Sequence, residues 1–313
     1  MSFKLFIYYC AVCGGWAALA GWLLGRALLA PLSADTSALA KAEVQGFSLG
    51  LAVALALGLV DILWNTGGRQ RGQALLKGAV VAAIGCLGGM LGAAVGQGLV
   101  SATQADLLFP LGWVLTGGLI GASVGLYDLL MEGHGHLSAG ARRKLVNGLL
   151  GGLLGGLLGS LLYGVMGFVL GGVVHLATGR PADSLGSTAA WGFVAVGLCI
   201  GLFIGLAQVI LKEAWLKVEQ GFRAGRELIL TKDEITIGRA EGSDVGLFGD
   251  NTVERTHARI QVKNHRYVLA DAGTPGGTFL NDQAVRQPTA LRDGDLIRVG
   301  KSVLRFGERH KKE

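Results

Sequence analysis

The chain reads as two parts of different fold class: an all-α polytopic membrane bundle of six helices, then an all-β sandwich. Three observations predict this. Six apolar stretches long enough to cross a bilayer fill residues 1–211. Glycine is abundant in them and recurs at helical spacing. Beyond residue 222 the pattern changes to short alternating runs divided by polar turns.

Composition sets the first limits. Of 313 residues, 51% are hydrophobic and only 16% charged, which is unlike an ordinary soluble chain. The 53 glycines point the same way. Each glycine costs a water-exposed helix roughly 1 kcal/mol against alanine. Helices in lipid tolerate small residues, which let backbones approach closely. A net charge of +6 fits basic loops on one side of a membrane. No basic stripe interleaved with aromatics is present, so no nucleic-acid partner is expected.

The spans are placed near 5–29, 46–64, 78–100, 107–130, 145–175 and 188–211, against a requirement of about 20 residues. The fifth is long enough to tilt or project beyond the bilayer. The first follows only Lys4 and lacks a small-x-small cleavage site, so it reads as a retained span rather than a signal peptide. Loop charge orients the set. Arg69, Arg71 and Lys77 follow the second span, and Arg142, Arg143 and Lys144 precede the fifth against Glu132. Lys212, Lys217 and Arg223 follow the sixth. The opposite loops offer Asp106, Arg180 against Asp183, and Lys41 against Asp35 and Glu43. This bias predicts an inner or plasma membrane protein with both termini cytoplasmic.

An internal repeat underlies the spans. Gly58-Leu59-Val60-Asp61 closes the second, and Gly125-Leu126-Tyr127-Asp128 closes the fourth, 67 residues later. The same offset carries Lys77 to Lys144, and Gly85, Gly88 and Gly92 to Gly152, Gly155 and Gly159. The sixth span closes on Gly205-Leu206-Ala207-Gln208, at an offset of 80 from Gly125. Three like-oriented helical hairpins about a pseudo-threefold axis are therefore expected. Small residues four apart, such as Gly50/Ala54/Gly58 and Gly117/Gly121/Gly125, share a helix face. They suit close intramolecular packing, with a homo-oligomer contact or a pore lining as the other readings.

Asp61 and Asp128 lie just inside the cytoplasmic ends of their spans. Intramembrane carboxylates are functional candidates. Pairing with Arg69, Lys77 or Lys144 gives the structural reading, and a proton or cation path the functional one. Gln208 at the third equivalent position breaks any ring of acids.

Residues 212–221 read as a linker or helix extension, with Trp215 and then Phe222 in an amphipathic stretch. Residues 222–308 form the soluble domain, and 309–313 a basic tail. Expected strands are Glu227–Leu230, Glu234–Ile237, His257–Val262, Arg266–Ala270, Thr278–Leu280, Leu296–Val299 and Ser302–Arg305. Many short strands with polar turns predict an antiparallel sandwich.

Five pieces then fall in order: Ile235-Thr236-Ile237-Gly238-Arg239, Val253-Glu254-Arg255-Thr256-His257-Ala258-Arg259-Ile260, Leu269-Ala270-Asp271, Gly277-Thr278-Phe279-Leu280-Asn281, and Leu291-Arg292-Asp293-Gly294-Asp295-Leu296-Ile297-Arg298-Val299-Gly300. Together they resemble the forkhead-associated (FHA) domain, a small β-sandwich that reads phosphothreonine peptides. The resemblance covers roughly the last quarter of the chain. It implies that Arg239 contacts phosphate, which a forked guanidinium suits. It implies peptide or partner contacts from Arg255, Thr274, Gly276 and Asn281, and structural roles for Gly238, His257 and Gly277.

The chain departs from the family at the phosphate. Glu254 stands where the family's serine donates a hydroxyl, and Pro275 and Gly276 replace the turn's Thr and Asn. A carboxylate has no proton to donate at neutral pH and repels a dianion. Two readings stay open. Glu254 pairs with Arg239 or Arg255 and fills the anion site from within, or the Gly246–Asn251 loop supplies other donors.

No catalytic residue, cofactor or metal site is expected. His257 has no paired nucleophile, and His134, His136 and His265 lack ligand spacing. Cys10-x-x-Cys13 has no second pair at metal distance, and all four cysteines lie in apolar stretches. Ser123 sits in Gly121-Ala122-Ser123-Val124-Gly125, and no His in the sixth span could activate it, so an intramembrane protease is rejected. The sequence thus predicts a membrane-anchored signalling scaffold. Its cytoplasmic domain binds a protein or phosphoprotein, and membrane lipid is the other partner. The alternative is a transporter or channel regulated by that domain.

Overall fold

The structure, a computed structural model, describes residues 2–32, 35–65, 71–131, 139–178, 188–221, 223–230, 232–263 and 266–309. Arg69, Glu132, His134, His136, Arg180, Asp183, Phe222, His265 and the tail beyond residue 309 lie outside them.

The N-terminal part is six helices: α1 (Phe3–Leu29), α2 (Ala38–Asn65), α3 (Arg71–Thr103), α4 (Phe109–Met131), α5 (Ala139–Thr178) and α6 (Thr188–Ile210). Proline marks their ends instead of breaking them. Pro31 lies just past α1, and Pro110 is the second residue of α4, where no intrahelical donor is lost. All six are long and apolar enough to cross a membrane. Each packs on the next in sequence, and α6 closes the ring on α1. The even-numbered helices are 50–56% buried over their apolar windows and the odd-numbered 28–39%, so α2, α4 and α6 form the inner layer.

Backbone contact explains many of the helical glycines. A Cβ at Gly50 on α2 would fall on the Gly85 carbonyl of α3, and one at Gly117 on α4 would fall on the Gly152 carbonyl of α5. The two contacts are 67 residues apart on both sides. Gly197 on α6 meets Gly14 and Ala18 on α1 in the corresponding way, 80 residues after Gly117.

The C-terminal part is a two-sheet sandwich. Its strands are β1 (Ala214–Gln220), β2 (Glu227–Ile229), β3 (Glu234–Gly238), β4 (Val245–Gly246), β5 (Ala258–Lys263), β6 (Arg266–Asp271), β7 (Thr278–Leu280), β8 (Gln283–Ala284), β9 (Thr289–Ala290), β10 (Leu296–Val299) and β11 (Ser302–Glu308). One sheet runs β2-β1-β11-β10-β7-β8 and the other β4-β3-β5-β6-β9. The pairings are antiparallel except β3 with β4. Alternation puts Leu216, Ile237, Ile260, Leu269, Ile297, Leu304 and Phe306 into one core between the sheets.

One expectation is corrected. Residues 212–221 are not a linker or helix extension, because Ala214–Gln220 is an inner strand of the larger sheet. Ala214, Leu216 and Val218 point into the core while Trp215, Lys217 and Glu219 alternate away, a period of two. The sandwich therefore begins four residues after α6 ends.

The strand sits directly against the helix ends. Arg226 donates to the Trp64 carbonyl at 2.9 Å, and the Phe3 N–H donates to the Glu227 carboxylate at 2.7 Å. Arg309 donates to the Ile210 carbonyl at 2.8 Å, and Arg143 pairs with Glu213. The termini of the sandwich thus face the helices.

Candidate functional site

The site is built by two loops strapped together at one end of the sandwich. The Arg239 N–H donates to the Glu254 carbonyl at 2.9 Å, and the Ala240 N–H to the Arg255 carbonyl at 3.0 Å. Gly238 permits this approach, since a Cβ there would fall on the Arg255 carbonyl.

His257 is fully buried behind the loops. Its Nδ1 accepts from the Glu254 N–H at 3.1 Å, which leaves the proton on Nε2. Nε2 lies 3.1 Å from the Gly277 carbonyl and 3.1 Å from Thr274 Oγ1. The Thr274 hydroxyl donates onward to Asp271. One imidazole therefore joins two loops, the one between β4 and β5 and the one between β6 and β7. Gly277 takes φ +62°, a left-handed turn that favours glycine.

Two carboxylates finish the scaffold. Burial alone would raise the Asp271 carboxyl. Donors from Thr278, Thr274 and Gly273 outweigh it and hold it below the usual carboxylate range. The Thr252 hydroxyl chiefly does the same for Asp250, with burial opposing and the Lys301 and Thr252 N–H groups assisting. Neither role was singled out from sequence. The only signal was a threonine shortly after each aspartate, Asp250-Asn251-Thr252 and Asp271-Ala272-Gly273-Thr274, a pattern of local Asx turns.

The sequence-nominated contacts separate into two groups. Arg239, Arg255 and Gly276 are exposed at the loop end, with Glu254 half-buried between. Thr274 is bound to His257 and Asp271. Asn281 takes φ +48°, donates to Asp295 at 2.8 Å and accepts from the Leu296 N–H at 2.9 Å. Both side chains are committed to the scaffold.

The pairing expected of Glu254 is not formed: among the described residues no ion pair joins it to Arg239 or Arg255. Both guanidiniums are solvent-exposed, where such a pair gains little over hydration. The anion site is not filled from within.

The membrane candidates lie elsewhere. Lys77 reaches Asp61 at 2.6 Å and Asp128 at 2.9 Å, and Lys144 reaches the same two at 2.9 and 2.6 Å. Two acids from α2 and α4 and two lysines from α3 and α5 thus form a closed four-charge ring. Lys77 also sits 5.3 Å from the Tyr127 ring centre. Gln208 is not part of this ring and lines an adjoining cleft beside the sandwich, which Lys144 also lines. Among the described residues no group of His, Cys, Asp and Glu could hold a metal ion.

A β-sandwich whose strapped loops carry two exposed arginines and are braced by a buried histidine is a peptide-recognition module of the FHA class. Residues 235–300 match the model of the FHA domain family, so the C-terminal part of the chain is an FHA domain; no family model matches the N-terminal part. The oxoglutarate dehydrogenase inhibitor of Corynebacterium efficiens is 36% identical over 93 residues, 30% of this chain and 64% of that protein. The glycogen accumulation regulator GarA of Mycobacterium tuberculosis is 34% identical over 93 residues, 30% of this chain and 56% of its own. The chain therefore spans 56–64% of the length of these curated relatives. Among solved structures, the FhaA FHA domain, crystallised with the intracellular domain of Rv3910, is 30% identical. It matches over 30% of this chain and 98% of its own, with a TM-score of 0.27.

Proposed function

We propose that this protein is a membrane-anchored interaction scaffold whose FHA domain captures a phosphothreonine-bearing protein partner at the cytoplasmic face of the inner or plasma membrane. The observation that carries the reading is the free state of Arg239 and Arg255. Two exposed guanidiniums on adjoining loops offer forked donors to a phosphate dianion, and no carboxylate neutralises them among the described residues. Glu254 replaces a hydroxyl donor and places a negative charge nearby, so affinity is lower than a serine at that position would give. The bare turn at Pro275-Gly276 offers no side-chain amide, so selectivity along the peptide rests on the 246–251 loop.

Six apolar helices support the anchor, with basic residues gathered at the end that carries the sandwich. In this reading they cross the membrane as three like-oriented hairpins. The sandwich termini face the helix ends, so the peptide loops project away from the lipid.

The test is binding of phosphothreonine and matched unphosphorylated peptide libraries to the full chain in neutral detergent. Phosphate-dependent capture, weakened by about tenfold or more in Arg239→Ala, is expected from loss of a charge-assisted contact. Equal capture of both libraries, unchanged by Arg239→Ala, would overturn the phosphate dependence.

A further inference from the structure

We infer that the cleft between the α5–α6 end and the start of the sandwich binds a phosphate-class anion, presented by a lipid headgroup or as free phosphate. The starting point is the broken repeat. Gln208 follows Gly205 by three residues, as Asp61 follows Gly58 and Asp128 follows Gly125. On the lysine side, the position 67 before Lys77 is Cys10. The third corner of the bundle therefore has neither the acid nor the lysine that satisfy each other at the first two.

Gln208 is nonetheless only 7% exposed. Among the described residues its side-chain amide has no hydrogen-bond partner. Buried amides are ordinarily satisfied, because one left without a partner keeps its desolvation penalty uncompensated. This amide lines a cleft of about 40 Å³ with Arg143, Lys144, Asn147, Lys212 and Glu213. A water needs roughly 10–15 Å³ by this measure, so the cleft admits a few waters or one tetrahedral oxyanion.

The charge around it selects the sign of the ligand. Three cations face one acid. Lys144 is committed to Asp61 and Asp128, and Arg143 meets Glu213. A guanidinium has five donors, so that pair leaves Arg143 with others to give. Lys212 has no carboxylate within ion-pair distance among the described residues. Its ammonium rests 4.1 Å from the Phe3 ring centre and 4.6 Å from that of Trp215. Burial lowers its pKa, Glu227 opposes this, and the nearby Arg309 adds to it. An ammonium held between rings beside like charge is stabilised by an incoming anion. Guanidinium, ammonium and amide donors from α5, the turn after α6 and α6 itself converge on one small volume, which suits a tetrahedral anion with several acceptor oxygens. Ile229 and Leu230 of the sandwich close the other wall, so an occupant would touch both parts of the chain.

The test uses the full chain carrying Arg239→Ala and Arg255→Ala together, which takes both exposed guanidiniums from the FHA loops as a competing phosphate site. One arm titrates inorganic phosphate in neutral detergent. The other compares retained phosphatidylglycerol with phosphatidylcholine by native mass spectrometry after reconstitution. The lipid arm rests on the membrane reading: failure to insert would sink that reading while the phosphate arm still reports on the cleft. Binding in either arm is expected, and names the source. Gln208→Glu keeps the shape and adds a charge, and Lys212→Gln, half-exposed, removes one. Each should weaken binding about tenfold, or 1.4 kcal/mol at 25 °C. Lys263→Gln, exposed on β5, should leave it within about twofold. No binding in either arm, or equal weakening by Lys263→Gln, overturns the site.

Discussion

The four-charge ring makes the most demanding test of the bundle. Consider Lys144→Met. The change removes two contacts, at 2.9 Å to Asp61 and 2.6 Å to Asp128, and leaves two carboxylates facing Lys77 alone. Removing one member of a buried pair costs about 3–5 kcal/mol, because the other member keeps its desolvation penalty. Here the lower end applies. Lys77 still bridges both acids, and Asp128, with 22% of its side chain exposed, can regain water. Asp61→Asn should cost more than Asp128→Asn, since the Asp61 side chain is only 2% exposed and leaves two ammonium groups crowding one acid. Combining Asp61→Asn with Lys144→Met removes one charge of each sign and keeps the Lys77–Asp128 contact at 2.9 Å. The double variant should therefore be less harmed than the sum of the singles, by about 1–3 kcal/mol of coupling. The measurement is hydrogen exchange on the full chain in neutral detergent. Peptides from α2 to α5 report the bundle, and peptides from the sandwich serve as an internal reference. A loss under about 0.5 kcal/mol for Lys144→Met, or strict additivity of the double variant, would refute the reasoning.

Two further outcomes follow from the packing and the scaffold acids. Gly50→Leu drives a side chain onto the Gly85 carbonyl and should destabilise the bundle by about 1–3 kcal/mol or more, while Gly98→Leu on α3 meets nothing within 4 Å and should stay within about 0.5 kcal/mol in the same exchange measurement. Asp250 and Asp271 are held below their unfolded values, so their stabilisation is complete above about pH 4 and is lost as pH falls through the depressed folded values. Unfolding of the sandwich followed from about pH 5 to pH 2 should show a flatter acid limb in Asp271→Asn than in wild type, and parallel limbs would refute the assignment.

What the sequence made legible follows from how local each demand is. Long apolar runs report a helix directly, because run length is set by the solvent the segment must satisfy. The helix ends were less legible: α5 runs Ala139–Thr178, beyond the apolar stretch of 145–175. Seven strands carry enough alternation to be read, whereas β4, β8 and β9 have two residues each and no period to detect. β1 failed for another reason. Its alternation follows α6 so closely that Lys212–Val218 also suits an amphipathic helix end, and only pairing with β11 and β2 decides between them. In the site, Gly238 and Gly277 were singled out through the family resemblance alone, and the close approach at one and the left-handed φ at the other came only from the folded backbone. The hydrogen bonds of Thr274 to His257 and of Asn281 to Asp295 were not legible, because the destination of a side-chain hydrogen bond depends on which loop folds beside it. The fate of Glu254 depended on the exposure of its neighbours, which no local pattern records.

The two halves of the repeat argument end in different places for a physical reason. At Asp61 and Asp128 the sequence offered lysines at a matching offset, and the bundle brings the four charges together in ion pairs. At Gln208 the same backbone position is kept and buried, but its would-be partner is Cys10, a thiol in an apolar wall. A third acid here would have faced Arg143 and Lys212 and closed the cleft with an internal ion pair. A neutral amide cannot neutralise those cations, so the asymmetry that weakens a ring of acids is also what leaves positive charge at the seam with the FHA domain. That seam already joins Arg226 to Trp64 and Glu227 to Phe3. An anion bound there would strengthen the same junction, and the sandwich would then be held against the helices most firmly where the repeat is broken.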